Sequence, residues 1–229
     1  MPLKYQLLRP TSETSTKIAI RRMNHEPSKR GTKEDYDMFE QGFPEELSGE
    51  LHKVLGVISK QTYNNISQGC SEESGNEEYV LSDGSSVSFP YRIYYIDDEH
   101  IYDKLDSPEE KRIYDCIFSR SCDGYVRERH LKNLLTEDVP EWCMPYILKL
   151  SAEYVKEIVE DIYVFMSGRD NSKFQEFCKL NPQIVRYAYS RMTNYWNEFY
   201  RCECFRFHNY VGYKLYKECL MKAVRNHDK

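Results

Sequence analysis

From Ser107 onward, apolar residues recur at three- and four-residue intervals in one segment after another, which commits more than half of the chain to helices. Ser107-Pro108-Glu109-Glu110 opens this run with an N-cap hydroxyl, a first-turn proline and two acids facing the positive end of the helix dipole. The first helix is expected over 108–118. Further helices are expected over 126–135, 145–166, 182–200 and 210–224, with a short one at 172–179. The longest apolar stripe, Ile147, Leu150, Tyr154, Val155, Ile158, Val159 and Ile162, reads as one uninterrupted helix.

The N-terminal side is less regular. Pro44 opens a stretch in which Leu47, Leu51, Val54, Leu55 and Ile58 mark an amphipathic helix over 44–66, followed by a polar, glycine-bearing loop over 67–78. Residues 79–96 are rich in β-branched and aromatic types, and Asp83-Gly84 between the apolar runs signals a β-hairpin, with Pro90 confined to an edge or bulge. Residues 1–35 are broken by Pro2, Pro10, Pro27 and Gly31 and read as an arm, with one short strand at 17–22. The expected fold is mainly α with a small β-hairpin, α+β toward the N-terminal side. It divides into a basic arm (1–35), an acidic helix-and-hairpin region (36–106) and a helical core (107–229), in one compact domain overall.

The net charge of −5 is unevenly spread. Residues 1–33 hold eight Lys/Arg against two acids, and residues 34–110 hold nineteen acids against four Lys/Arg. Such segregation suits docking between the two blocks or steering of an oppositely charged partner. No apolar run approaches the roughly 18 residues of a membrane-spanning helix, and MPLKYQLLRP lacks the apolar stretch of a secretory signal, so a cytoplasmic protein is expected. Eight cysteines in 229 residues fall short of a disulfide scaffold and read as reduced thiols among apolar neighbours.

One stretch carries a family likeness. In SCDGYVRERHLKNLL (121–135), Asp123, Val126, Arg127, Leu131 and Leu134 follow the order acid, Val-Arg, then apolar residues at helical spacing. This resembles the second-helix signature of a HEAT-type helical repeat, with helix 108–118 as the partner before the turn and one degenerate unit covering about residues 108–162. The resemblance implies a structural role for Asp123, accepting from first-turn N–H groups and pairing with Arg127 to fix the turn. HEAT-type proteins mostly act as docking surfaces, so it also implies macromolecular interaction.

Sites of chemistry are sparse. Cys202-x-Cys204-x3-His208 with Cys219 has the ligand types of a zinc site but not the Cys-x2–4-Cys spacing, so no metal is assigned. Asp97-Asp98-Glu99-His100 followed by Glu109-x-Lys111 has the acids of a metal-dependent nuclease, but Glu109 sits in a first helical turn, where the dipole alone accounts for it. A Cys122–His130 pair reads as structural rather than catalytic. Glycine-rich phosphate loops and Gly-x-Ser-x-Gly elbows are missing from the text. No catalytic residue and no cofactor is assigned, and a non-enzymatic role is expected.

The loudest feature of composition is twenty tyrosines and ten phenylalanines. Tyr94, Tyr95 and Tyr102 beside Asp97, Asp98 and Glu99 form the expected protein-binding surface, because rigid amphipathic rings make hot spots. The alternative is a nucleic-acid surface built from Arg186, Arg191, Tyr195, Trp196, Arg201 and Arg206, in which rings stack on bases and guanidinium groups pair with phosphates.

Overall fold

The structure, a computed structural model, describes residues 39–58, 70–71 and 77–221. The expected arm and its strand at 17–22 lie outside these residues. What is described is mainly helical with a small β element.

A 3-10 turn at Glu45–Leu47 leads into α1 (Ser48–Val57), which buries Leu51, Val54 and Leu55. This helix is shorter than the sequence reading of 44–66, since Ile58 leaves helical geometry (ψ 129°) and is itself buried. The polar stretch read as loop contains β1 (Cys70–Ser71), and the expected hairpin forms from β2 (Tyr79–Val80) and β3 (Ser86–Val87). Gly84 takes a φ of +87° in its turn, and the Asp83 carboxylate accepts from the Ser85 N–H and hydroxyl. The text after Pro90 does not extend the hairpin. Instead β4 (Arg92–Ile93) pairs antiparallel with β1, in a second two-stranded sheet.

After the short α2 (Glu99–Tyr102), α3 (Pro108–Phe118) begins with Ser107 and Glu110 in a reciprocal capping box, as its sequence signature demands. Helix α4 (Gly124–Leu134) is capped by Asp123, whose carboxylate accepts from the Tyr125 N–H at 2.9 Å. The long helix expected over 145–166 is two helices, α5 (Met144–Leu150) and α6 (Lys156–Met166). Ser151 ends the first by turning its hydroxyl back to the Leu148 carbonyl and onto the Tyr216 hydroxyl, both at 2.7 Å, and the break carries Glu153 inward.

Helices α7 (Ser172–Leu180) and α8 (Pro182–Tyr195) follow, and α8 continues as a π turn at Trp196–Tyr200. The last described elements are α9 (Val211–Lys214) and a second π turn, Leu215–Leu220. One hydrophobic core runs through all of these, from Phe39 to Leu220. Tyr79, Phe89, Tyr146 and Phe43 stack through it with ring centroids 5.3, 4.0 and 5.6 Å apart, joining hairpin, α5 and the start of the described chain. The Tyr146 hydroxyl donates to the Gly42 carbonyl at 2.8 Å, and a Cβ on residue 42 would stand 2.6 Å from that hydroxyl, so the close approach requires glycine.

Candidate partner-binding face

Two buried polar clusters lie under the surface, and the same elements build both. Strand β4 is stitched to the α3–α4 turn: the Ile93 N–H donates to the Arg120 carbonyl, and the Cys122 N–H donates to the Ile93 carbonyl, each at 2.9 Å. This seam brings Arg92, Arg120 and Arg127 together, and the α5–α6 break supplies Glu153.

Glu153 accepts from Arg92 at 2.7 and 2.9 Å and from Arg127 at 3.3 Å. Burial pushes its carboxyl pKa up, but Arg92, Arg127 and Arg120 together outweigh that and hold it below the ordinary value, so Glu153 is ionised. Arg120 is 1% exposed and donates only to the carbonyls of Pro90 and Tyr91. Burial, then the neighbouring Arg92 charge, lower its pKa to about 10, which leaves it protonated at neutral pH. The second role assigned to Asp123 is corrected here. It caps α4 as expected, but Arg127 turns away from it, giving Nη1 to the Ser121 and Cys122 carbonyls at 2.8 and 3.2 Å and Nη2 to Glu153. A buried guanidinium gains more from a buried carboxylate than from one at the half-exposed turn.

The second cluster takes up the residues expected to form an acidic, tyrosine-rich surface. His130 on α4 points Nδ1 at Asp115 (2.7 Å) and Nε2 at Asp97 (2.8 Å). Tyr114 donates to Asp97 at 2.8 Å, Tyr102 and Asn133 donate to Asp115 at 3.2 and 3.0 Å, and Arg129 pairs with Asp97 and, at 2.9 Å, with Glu99. Burial alone would lower the His130 pKa, but the bonds and charges of Asp115 and Asp97 raise it above the usual imidazole value. Asp97 is also pushed up by burial, yet His130, Tyr114 and Arg129 bring it down to about 2.

The expectation of an exposed acidic and tyrosine-rich surface is therefore corrected. Tyr95 is buried against Phe39, Tyr94 is half-buried, and the Tyr102 hydroxyl is committed to Asp115. The Asp97 side chain is buried, and Asp98 caps α2 by accepting from the His100 N–H. Of the six, only Glu99 is broadly exposed, and it faces Arg129. The reason is that α4 offers a histidine and an arginine that pair with Asp97 and Glu99, and α3 offers the Tyr114 hydroxyl to Asp97.

One exposed aromatic surface lies on α8 and its π turn. Tyr187, Arg191, Tyr195 and Phe199 fall four residues apart, down one side. Tyr187 and Phe199 are 52% and 47% exposed, as is Tyr154 (45%) from the α5–α6 break. Tyr154, Tyr195 and Phe199 form a mutual ring cluster with centroids 6.1 to 6.5 Å apart. Arg191 lies 5.0 Å from the Tyr187 ring centroid and 5.6 Å from that of Tyr91, and Arg201 lies 5.9 Å from exposed Phe205.

The proposed nucleic-acid set thus divides. Arg191 and Tyr195 share this face, Arg201 follows the π turn and meets Asn197 and Phe205, and Trp196 turns inward, stacking on Phe207 at 4.6 Å and donating its indole N–H to the Cys204 carbonyl. Arg186 and Arg206 are exposed. Sequence reasoning missed Tyr154, Tyr187 and Phe199 as surface residues, although the spacing of Tyr187, Tyr195 and Phe199 in multiples of four was there to be seen.

Cys219 is buried in the core while Cys202 is exposed, and among the described residues no group of three or more His, Cys, Asp or Glu side chains is placed to hold a metal ion. Both His130 nitrogens face carboxylates, so neither is directed at Cys122. No described helix is long and apolar enough to cross a membrane. The chain matches no protein family, no curated protein and no solved structure.

Proposed function

We propose that this chain is a protein-interaction module whose docking face is the aromatic stripe of α8 with Tyr154. The observation that carries this reading is the run of partly exposed rings, Tyr154, Tyr195 and Phe199, in contact with one another and in line with Tyr187. Contiguous exposed aromatic surface on a monomer marks a place where another macromolecule excludes water. The stripe sits on a helix held by Val185, Ala188 and Met192 in the core, so its rings are presented with little ordering left to lose on binding. The π turn at Trp196–Tyr200 continues the stripe to Phe199 at the helix end, the sort of local irregularity that recurs at functional sites. The HEAT-type resemblance of the 108–162 stretch supports an interaction role, since HEAT-type pairs are docking scaffolds.

A photo-crosslinking amino acid placed at Phe199, with a second variant carrying it at Val57 on α1 as control, tests the face in cells that make the protein. A discrete protein adduct is expected from Phe199 and not from Val57. Adducts removed by nuclease would assign the stripe to nucleic acid instead, and equal labelling from both positions would remove the face from consideration.

A further inference from the structure

We infer that the docking face selects an acidic segment of its protein partner, whose carboxylates settle along Tyr187, Arg191 and Tyr195 over positive charge stored beneath them. This rests on the docking reading above and specifies its partner chemistry. Three buried guanidinium groups, Arg92, Arg120 and Arg127, lie about the single carboxylate of Glu153, which pairs directly with Arg92 and Arg127. Arg120 Nη1 and Arg127 Nε, on side chains 1% and 0% exposed, have no acceptor at all. A carboxylate can escape burial by taking up a proton, but a guanidinium stays charged, so the excess is permanent.

Only a layer of tyrosine rings separates that charge from the candidate face. Arg127 lies 5.7 Å from the Tyr154 ring centroid, and Arg92 and Arg120 lie 4.5 and 6.0 Å from that of Tyr91. Tyr91 neighbours Tyr195, and Arg191 spans from Tyr91 to Tyr187. Cations on the inner faces of these rings leave their electropositive edges and hydroxyl donors for an outer ligand, which suits an anion. Charge buried this close to a surface projects through it to a ligand outside, where salt can compete. The positive focus is local. A short acidic peptide is enough to cover a focus of this size.

The full chain is titrated by fluorescence anisotropy with a labelled random Glu–Tyr copolymer, in parallel with a Lys–Tyr copolymer and a thymidine 20-mer. The Glu–Tyr probe should bind, should weaken about tenfold or more between 0.05 and 0.5 M salt, and should weaken about tenfold in Tyr187→Glu, which sets a carboxylate on an exposed position without touching the core. Phe199→Ala should weaken it too. Equal binding of the Lys–Tyr probe, displacement by the thymidine oligomer, or unchanged affinity in both variants would overturn the inference. A protein adduct at Phe199 that the Glu–Tyr probe fails to compete would leave the docking face standing and remove only its acidic preference. Loss of both adduct and copolymer binding would remove the two together.

Discussion

Arg92, Arg120, Arg127 and Glu153 on one side, and Asp97, Asp115 and His130 on the other, are opposite answers to the same burial problem. The strand segment around β4 supplies Arg92 and Asp97, α3 and its end supply Arg120 and Asp115, and α4 supplies Arg127 and His130 three residues apart on its buried side. The histidine cluster is near neutrality, with two carboxylates against an imidazolium and the Arg129 guanidinium. The arginine cluster carries an excess of positive charge. What separates them is recourse: a carboxylate or imidazole can change protonation when its partner is lost, and a guanidinium cannot. The balanced cluster is suited to fastening α2 and α4 onto α3, while the unbalanced one lies under the aromatic stripe and can act on what lies outside.

The comparison is broken most directly at Glu153. Glu153→Ala should cost about 3–5 kcal/mol in urea denaturation, because three buried guanidinium groups would be left without a carboxylate. A loss below about 1 kcal/mol would mean that water already reaches the arginines and that they are not stored charge. His130→Ala, its counterpart, should cost less, about 2–3 kcal/mol, since Asp97 can respond by binding a proton. If the two losses come out in the reverse order, the argument from recourse fails.

Titration sharpens the same contrast. His130 has a folded pKa above its ordinary 6.5, so its contribution is complete below pH 6.5 and is lost as pH rises through the folded value. Asp97 is lowered from 3.8 to about 2, so its contribution is complete above pH 3.8 and is lost as pH falls toward 2. The histidine cluster should therefore fasten most tightly between about pH 4 and 6.5. Melting temperatures across pH 3 to 9 would show this as a fall on both sides, and His130→Phe should flatten the alkaline side. A wild-type profile with no alkaline fall would show that His130 is not charged in the folded state.

The smallest effects concern the α4 turn. Asp123→Ala should cost about 0.5–2 kcal/mol as a lost N-cap. Its combination with Arg127→Ala should be additive within about 0.5 kcal/mol, because Arg127 is paired with Glu153 instead, and the coupling should appear between Arg127 and Glu153. Coupling between Asp123 and Arg127 in a double-mutant cycle would restore the pairing that the HEAT-type resemblance implied.

Several features decided within about one helical turn were legible in the sequence. The Ser107–Glu110 capping box, the Asp123 cap, the Gly84 turn and the existence of α3, α4, α7 and α8 follow from side chains two to four residues apart, where the chain itself holds partners together. The break before α6 was not legible, because an unbroken apolar stripe describes one helix or two equally well until Arg92 and Arg127 draw Glu153 inward. The acidic surface was misread for the same reason. Asp97 finds His130 33 residues away, and Arg92 finds Glu153 61 residues away, at distances no local period encodes. Whether a charged side chain faces water or a partner depends on burial, and burial is set only when β4 is stitched to the α3–α4 turn and the helices close over it. Local hydrogen bonding fixed the elements; the cost of burying charge fixed how they were joined and which aromatic face was left outside.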